Sequence, residues 1–233
     1  MPTIVYQKTN KLHYGKYFYK LNIYNDLSSI FRTEAQGNKK LSYAESQLNF
    51  IKSNKIGDCY RFFKRLNSTV VSKECLHDAE LIYSKLLEND DYLLRCEYNC
   101  LYIYSNNLDL LESIFKNLKY PNVVEVWKPN EADLDILISN KNTIIVDKPT
   151  DFPIKVTFGS KPASPALGEW IEKNSNKVRA GYTFKLNCKK GTRWIKGQYI
   201  YVRDEKVLLF VTMLVGNNIS RIDKLIYNLN IDK

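Results

Sequence analysis

Short runs of β-branched and aromatic residues alternate with amphipathic runs along the whole chain. The runs at Thr3–Lys8, 16–24 and 152–158 are typical of strands, because Val, Ile, Tyr and Phe suit a pleated sheet. Apolar residues recur three and four positions apart at 73–90 and 164–174, which is typical of helices that bury one face. We therefore predict an α+β fold, with largely antiparallel sheets covered by amphipathic helices.

Two segments, 106–118 and 217–229, match each other without a gap. NNLDLLESIFKNL and NNISRIDKLIYNL both open with Asn-Asn, close with Asn-Leu and place apolar residues at the same positions. Each follows a run that we predict as a hairpin, so one interpretation is a duplicated β-β-α arrangement. The other is that any Asn-capped amphipathic helix carries this pattern. In both interpretations the two segments are helices.

Further apolar runs are predicted as strands: VLLFVTMLV at 207–215, GYTFKLN at 181–187, and either LDILIS at 134–139 or TIIVDK at 143–148. Two prolines in DKPTDFP interrupt the strand pattern near residue 150. We therefore predict an N-terminal α+β part, 1–150, and a C-terminal α+β part, 151–233, either separate or within one compact body. A chain of 233 residues can bury a core in both cases.

The charge of the chain favours an anionic partner. Lys and Arg outnumber Asp and Glu by 35 to 25, for a net charge of +10, which favours nucleic acid first and an acidic membrane or protein second. No apolar run approaches the roughly 20 residues of a membrane span, and MPTIVYQKTNK does not resemble a signal peptide. The five cysteines are odd in number and scattered, which indicates a reducing compartment. We expect a cytoplasmic protein without a membrane partner, in the host cell if the chain is viral.

Catalytic and cofactor signatures are weak. Cys75, His77 and Asp78 lie too close together on a helix to form a nucleophilic triad, and no glycine pattern marks a nucleophile or a phosphate loop. The cysteine spacing does not fit a zinc site, so we expect no cofactor. Clustered carboxylates leave a metal-dependent nuclease as an alternative. The carboxylates and the lysines beside them are Glu125, Lys128, Asp133, Asp135, Asp147, Asp204, Glu205 and Lys206.

The segment NCKKGTRWIKGQYIYVRDEK, residues 187–206, combines many cations with aromatic rings. If GQYIYVRDEKVLLFV is a hairpin, strand alternation puts Tyr199, Tyr201 and Arg203 on one face and Ile200 and Val202 on the other. Exposed rings and cations on a sheet face suit single-stranded nucleic acid, because bases stack on rings while cations neutralise phosphates. Alternatively, the tyrosines face the helices and the segment is ordinary strand.

We therefore predict a non-enzymatic nucleic-acid-binding protein, with single-stranded RNA or DNA favoured as the partner. A composition rich in Lys, Asn, Ile and Tyr suggests an AT-rich coding genome, which fits a phage, a virus, an organelle or a low-GC bacterium, and we favour a phage or viral origin. No RRM consensus, KH loop or helix-turn-helix is recognisable. The alternatives are a structural or assembly component of a virion or larger complex, including a homo-oligomer, and the nuclease. The predicted contact residues are Lys189, Lys190, Arg193, Trp194, Lys196, Tyr199, Tyr201 and Arg203, with Lys16, Tyr17, Arg61, Lys64 and Arg65 from two similar basic-aromatic stretches.

Overall fold

The computed structural model describes residues 2–32, 41–64, 67–120, 122–192 and 195–228, and the side chains of all of these but 63, 64 and 67. The predicted α+β class with mostly antiparallel sheets is confirmed. The chain divides into two compact units, Met1–Asn130 and Glu131–Lys233, whereas the prolines near residue 150 had suggested a division there. The strand at Thr143–Val146 lies before residue 150 but pairs with Ile219–Tyr227, which explains its place in the second unit.

The first unit contains a large sheet, a small sheet and three α-helices in its described part. The strands are β1 (Thr3–Lys8), β2 (Tyr19–Tyr24), β3 (Lys55–Ile56), β4 (Cys59–Lys64), β5 (Asn67–Ser72), β6 (Tyr92–Glu97), β7 (Cys100–Ser105) and β8 (Val123–Lys128). The helices are α1 (Ser42–Ser53), α2 (Lys73–Leu87) and α3 (Leu108–Phe115), and a 3₁₀ turn (Ser28–Phe31) follows β2. The large sheet has the order β1-β8-β2-β7-β6, in which only β1 and β8 are parallel neighbours. The small antiparallel sheet has the order β3-β4-β5.

The core of the first unit lies between one face of the large sheet and the helices. Leu21 of β2 and Ile103 of β7 point into this core, together with Leu48 of α1, Ile82 of α2 and Ile114 of α3. Strand alternation therefore turns the intervening side chains of β2 and β7 toward the opposite face of the sheet.

The second unit contains one sheet and four α-helices within the described residues. The strands are β9 (Thr143–Val146), β10 (Ile154–Phe158), β11 (Val178–Ala180), β12 (Tyr199–Val202) and β13 (Ile219–Tyr227). The helices are α4 (Glu131–Ser139), α5 (Pro165–Lys173), α6 (Tyr182–Lys189) and α7 (Glu205–Val215), and a 3₁₀ turn (Gly216–Asn218) follows α7. The order is β11-β12-β10-β13-β9, and only β9 and β13 are parallel neighbours.

The large sheets of the two units have the same topology. Counted in chain order within each unit, the five strands lie in the order first, fifth, second, fourth, third, with the first and fifth parallel and the other neighbours antiparallel. The last four strands of the first unit therefore follow the split β-α-β-β-α-β connectivity. The second unit differs in one respect, because α6 lies between its third and fourth strands. The same strand arrangement thus occurs twice in this chain.

The repeat does not lie where the sequence match placed it. Residues 106–118 contain the predicted helix, α3, but the helix predicted at 217–229 is wrong, because residues 217–227 form the end of a 3₁₀ turn and β13; residue 229 lies outside the described residues. A β-bulge explains the error: Thr157 pairs with Arg221, whereas the next residue, Phe158, pairs with Ile219. The extra residue lets Ile219 and Ile222, three positions apart, both pack on the core and so imitate helical spacing.

VLLFVTMLV, GYTFKLN and LDILIS are helices instead, namely α7, α6 and α4. The alternative to LDILIS is confirmed, because TIIVDK contains β9. The hairpin predicted for GQYIYVRDEKVLLFV is therefore wrong as well, because its second half is α7. Asp204 ends the strand region and caps α7, since its Oδ1 accepts a hydrogen bond from the backbone N–H of Val207 at 2.9 Å. The periodicity of a continuous apolar run does not distinguish a helix from a strand. The capping residue Asp204 is the local feature that favours a helix here. In α6 the buried Phe184 and Cys188 lie four residues apart on one side.

Candidate nucleic-acid interface

Tyr199 and Tyr201 lie on the sheet face of the second unit that points away from the core. Their neighbours Ile200 and Val202 are completely buried in the core with side chains of α5, α6 and α7, so the alternation predicted for this strand is confirmed. Tyr199 is 44% exposed and Tyr201 is partly buried. The interpretation in which these tyrosines face the helices is therefore wrong.

The two tyrosine rings and one lysine form a compact group. The rings of Tyr199 and Tyr201 are 5.4 Å apart between centroids, with an interplanar angle of 71°. Lys155 pairs with Tyr201 across β10 and β12, and its Nζ lies 4.0 Å from the centroid of the Tyr199 ring. This distance is well within the range of a cation–π contact. Burial, and then the neighbouring Tyr199, raise the pKa of Tyr201, so the phenol stays protonated.

Further charged side chains flank this group. Arg179 of β11 is exposed and pairs with Tyr201, and Arg221 and Asp223 of β13 pair with Thr157 and Lys155. The Nε of Arg221 donates to Asp223 at 2.5 Å, so the nearly buried carboxylate of Asp223 is neutralised. We call the set Tyr199, Tyr201, Lys155, Arg179, Arg221 and Asp223 the second-unit face. It carries three cations against one paired carboxylate.

The lysines predicted to act with these tyrosines lie elsewhere in the unit. Lys189 ends α6 and Lys190 is its C-cap, and α6 packs against the core side of the sheet. The Nζ of Lys189 lies 2.7 Å from a carboxylate oxygen of Glu172, and this hydrogen bond raises the pKa of Lys189. Lys189 and Lys190 are close to the tyrosines in the sequence, but they do not lie on the same face of the sheet.

The remaining residues of this segment are placed as follows. Lys196 is exposed in the turn before β12, and Arg203 is exposed directly after β12, where its backbone N–H donates to the carbonyl of Lys177 at 3.0 Å. Arg193 and Trp194 lie outside the described residues.

The predicted contact residues of the first unit do not form a similar group. Tyr17 is 7% exposed, so its ring offers little surface for a base. The Nζ of Lys16 lies 4.6 Å from the Tyr17 ring centroid and 3.3 Å from a carboxylate oxygen of Asp91. Arg61 is exposed on β4. Lys64 ends β4 but its side chain is not described, and Arg65 lies outside the described residues.

Lys155 and Arg179 were missed by the sequence reasoning. Both lie within short strands whose other residues are mostly uncharged, in FPIKVTF and in Val178–Ala180. In a strand, a charged residue between two buried residues points to the open face of the sheet. Lys155 lies between Ile154 and Val156, so its position on the open face could have been predicted. Which strands are neighbours could not be read from the same pattern.

The catalytic alternatives gain no support. The buried thiol of Cys75 donates to Oδ1 of Asn25 at 3.1 Å, and burial raises the pKa of Cys75 to about 12, far from that of a nucleophile. Asp133, one of the candidate nuclease carboxylates, is buried and accepts a hydrogen bond from Asn228 at 3.0 Å. Among the described residues, no group of three or more His, Cys, Asp or Glu side chains is arranged to hold a metal ion.

No helix in the part of the chain that the structure describes is long and apolar enough to cross a membrane. Comparisons of the chain with protein families, with curated proteins and with solved structures find no significant match.

Proposed function

We propose that the protein binds single-stranded nucleic acid on the second-unit face. The observation that carries this proposal is the position of Tyr199 and Tyr201 on the open side of a sheet, with the ammonium group of Lys155 4.0 Å from a ring centroid. Unpaired bases stack on exposed aromatic rings, and this contact tolerates any base sequence. The net charge of +10 favours the approach of a polyanion.

In this proposal the residues of the face have separate roles. Tyr199, the more exposed ring, stacks on a base, and Tyr201 supports Tyr199 edge-on. Lys155 and Arg179 contact the phosphates on either side of the stacked base. Arg221 is paired with Asp223, so this pair adds little net charge to the face.

The proposal is tested by titrating a fluorescent single-stranded oligonucleotide with the full-length protein at several salt concentrations. Tyr199→Ala should weaken binding by about 1–3 kcal/mol, the usual loss for one base stack. Lys155→Met should lower the slope of log affinity against log salt by about 0.7, the value for one phosphate contact to a single strand.

Matched controls come from the helix side of the same unit. Tyr182 on α6 is 81% exposed and Lys190 caps the same helix, so Tyr182→Ala and Lys190→Met remove the same chemical groups from the opposite side of the sheet. Both controls should bind as the wild type does. If the two controls weaken binding while Tyr199→Ala and Lys155→Met do not, the nucleic acid binds elsewhere and the proposal fails. Circular dichroism should show that all four variants are folded.

A further inference from the structure

The tyrosine pair of the second unit has an equivalent in the first unit. β7 contains Tyr102-Ile103-Tyr104, and β12 contains Tyr199-Ile200-Tyr201. Both strands are the fourth of their sheet, and both lead into a helix after the same number of residues. The helix caps Asn107 and Asp204 each accept a hydrogen bond from the N–H three residues on, at 3.0 and 2.9 Å. The repeated element is therefore this strand with its capped helix, and not the pair of segments that the sequence match suggested.

The lysine of the face is repeated in the same register. Lys20 of β2 pairs with Tyr104, as Lys155 of β10 pairs with Tyr201. The Nζ of Lys20 lies 4.8 Å from the ring centroid of Tyr102, as the Nζ of Lys155 lies near Tyr199. In both units the lysine thus reaches the diagonal tyrosine rather than the one directly opposite.

A tryptophan extends this group in the first unit. Trp127 of β8 pairs with Lys20, and its ring centroid also lies 4.8 Å from the Lys20 Nζ, so the ammonium group contacts both Tyr102 and Trp127. Burial lowers the pKa of Lys20 from its usual value. We call Lys20, Tyr102, Tyr104 and Trp127 the first-unit face.

Two carboxylates near this face have side-chain partners. Glu125 accepts hydrogen bonds from the side chains of Asn22 at 3.0 Å and Trp127 at 3.4 Å. Glu97 forms an ion pair with Arg95. Burial, and then Lys20 and Lys11, lower the pKa of His13 to about 4.

One ring of the first-unit face is covered, unlike its equivalent in the second unit. Tyr104 is only 7% exposed because Tyr14 packs edge-on against it, with 4.9 Å between centroids, and His13 lies 5.4 Å away. Arg95 holds Tyr14 in place by donating to its hydroxyl at 3.2 Å. Tyr102 and Trp127 remain partly exposed, so they are the rings that a ligand can reach.

We propose that the first-unit face is a second site for an unpaired nucleotide, in which Tyr102 and Trp127 contact the base and Lys20 the adjacent phosphate. The identity of the ligand rests on the proposed function of the second-unit face, whereas the existence of the site rests on the repeated geometry. Stacking on rings and neutralisation of phosphate require the residue types found here.

The experiment uses Trp127 as a reporter in the full-length chain, with Trp170→Phe and Trp194→Phe as the background. A thymidine oligonucleotide of about five residues is short enough to engage a single site. We expect two oligonucleotides to bind per chain by calorimetry, and binding to quench Trp127 emission. Tyr102→Ala should weaken the quenching transition about 5- to 150-fold, as expected for one lost stack, while Tyr102→Phe, which keeps the ring, should not. If Trp170→Phe with Trp194→Phe unfolds the protein, wild type is compared with Trp127→Phe instead. The difference in quenching between these two chains then reports on Trp127.

The outcomes separate the two proposals. In Tyr199→Ala/Tyr201→Ala, Trp127 quenching should persist and one oligonucleotide should still bind per chain. If one oligonucleotide binds to the unmodified second-unit face and Trp127 emission never changes, the first-unit site is refuted and the proposed function stands. If Trp127 is quenched while Tyr199→Ala/Tyr201→Ala binds as the wild type does, the proposed function fails and the first-unit site remains. Failure of the wild-type chain to bind the oligonucleotide would refute both.

Discussion

Asp78 is a buried carboxylate that binds the backbone of the segment between α3 and β8. Its side chain on α2 is 1% exposed, and its two oxygens accept hydrogen bonds from the backbone N–H groups of Lys119 at 2.8 Å and Tyr120 at 2.9 Å. A third contact, at 3.2 Å, joins Asp78 to Nδ1 of His77. Asp78 therefore has a structural role in the fold.

We expect Asp78→Ala to destabilise the first unit by about 2–4 kcal/mol. Each hydrogen bond to a charged group contributes about 1.5–3 kcal/mol, and removal of the carboxylate leaves two backbone N–H groups without their partner. Part of this loss is offset, because an alanine does not have to be desolvated on folding. Asp78→Asn keeps one accepting oxygen, so its free energy of unfolding should lie between those of wild type and Asp78→Ala.

The assay is urea unfolding followed by far-ultraviolet circular dichroism, with the midpoint and slope fitted for each variant. Asp90→Ala is a suitable control, because Asp90 is exposed in the loop after α2 and its replacement should change stability by no more than about 0.5 kcal/mol. If Asp78→Ala unfolds at the same urea concentration as Asp90→Ala, the two backbone hydrogen bonds do not stabilise this part of the fold and the reasoning is refuted.

Three further predictions concern the packing of single residues. Burial lowers the pKa of His13 from 6.5 to about 4, so the unfolded chain binds a proton at a higher pH than the folded chain does. The stability of the fold should therefore fall as the pH drops from 6.5 to 4, and His13→Phe should reduce this pH dependence in melting curves. A Cβ on Gly168 would lie 2.9 Å from the Cβ of Cys188 between α5 and α6, so Gly168→Ala should destabilise by about 1–3 kcal/mol; an unchanged melting temperature would contradict this contact. Burial raises the thiol pKa of Cys75 to about 12 and of Cys188 to about 11, so iodoacetamide at pH 8 should modify the partly exposed Cys59 and Cys100 before these two, as mass spectrometry can show.

The fold class could be predicted because strand and helix periods are local properties of the sequence. The helix within 106–118 and the alternation at Tyr199–Val202 follow directly from residue spacing. The errors occurred where local patterns are ambiguous. The bulge opposite Phe158 gave β13 a helix-like spacing, and the continuous apolar run of α7 fitted a buried strand as well as a helix.

The candidate site could be predicted only in part, because strand order is not a local property. Alternation along one strand places Tyr199 and Tyr201 together, but only the pairing of β10 with β12 brings Lys155 to them. Proximity in sequence suggested Lys189 and Lys190 instead, which lie on the helix side. The first-unit face was missed for the same reason, since its residues come from three strands far apart in the sequence.

The central claim, that an unpaired base stacks on the second-unit face, is tested most directly by photocrosslinking. An oligonucleotide containing 5-iodouracil would be irradiated in complex with the full-length protein, and the modified residue identified by mass spectrometry. Stacking on the exposed ring predicts a crosslink at Tyr199, reduced at elevated salt because the phosphate contacts weaken. Crosslinks confined to the helix side of the unit, for example at Tyr182, would contradict the account.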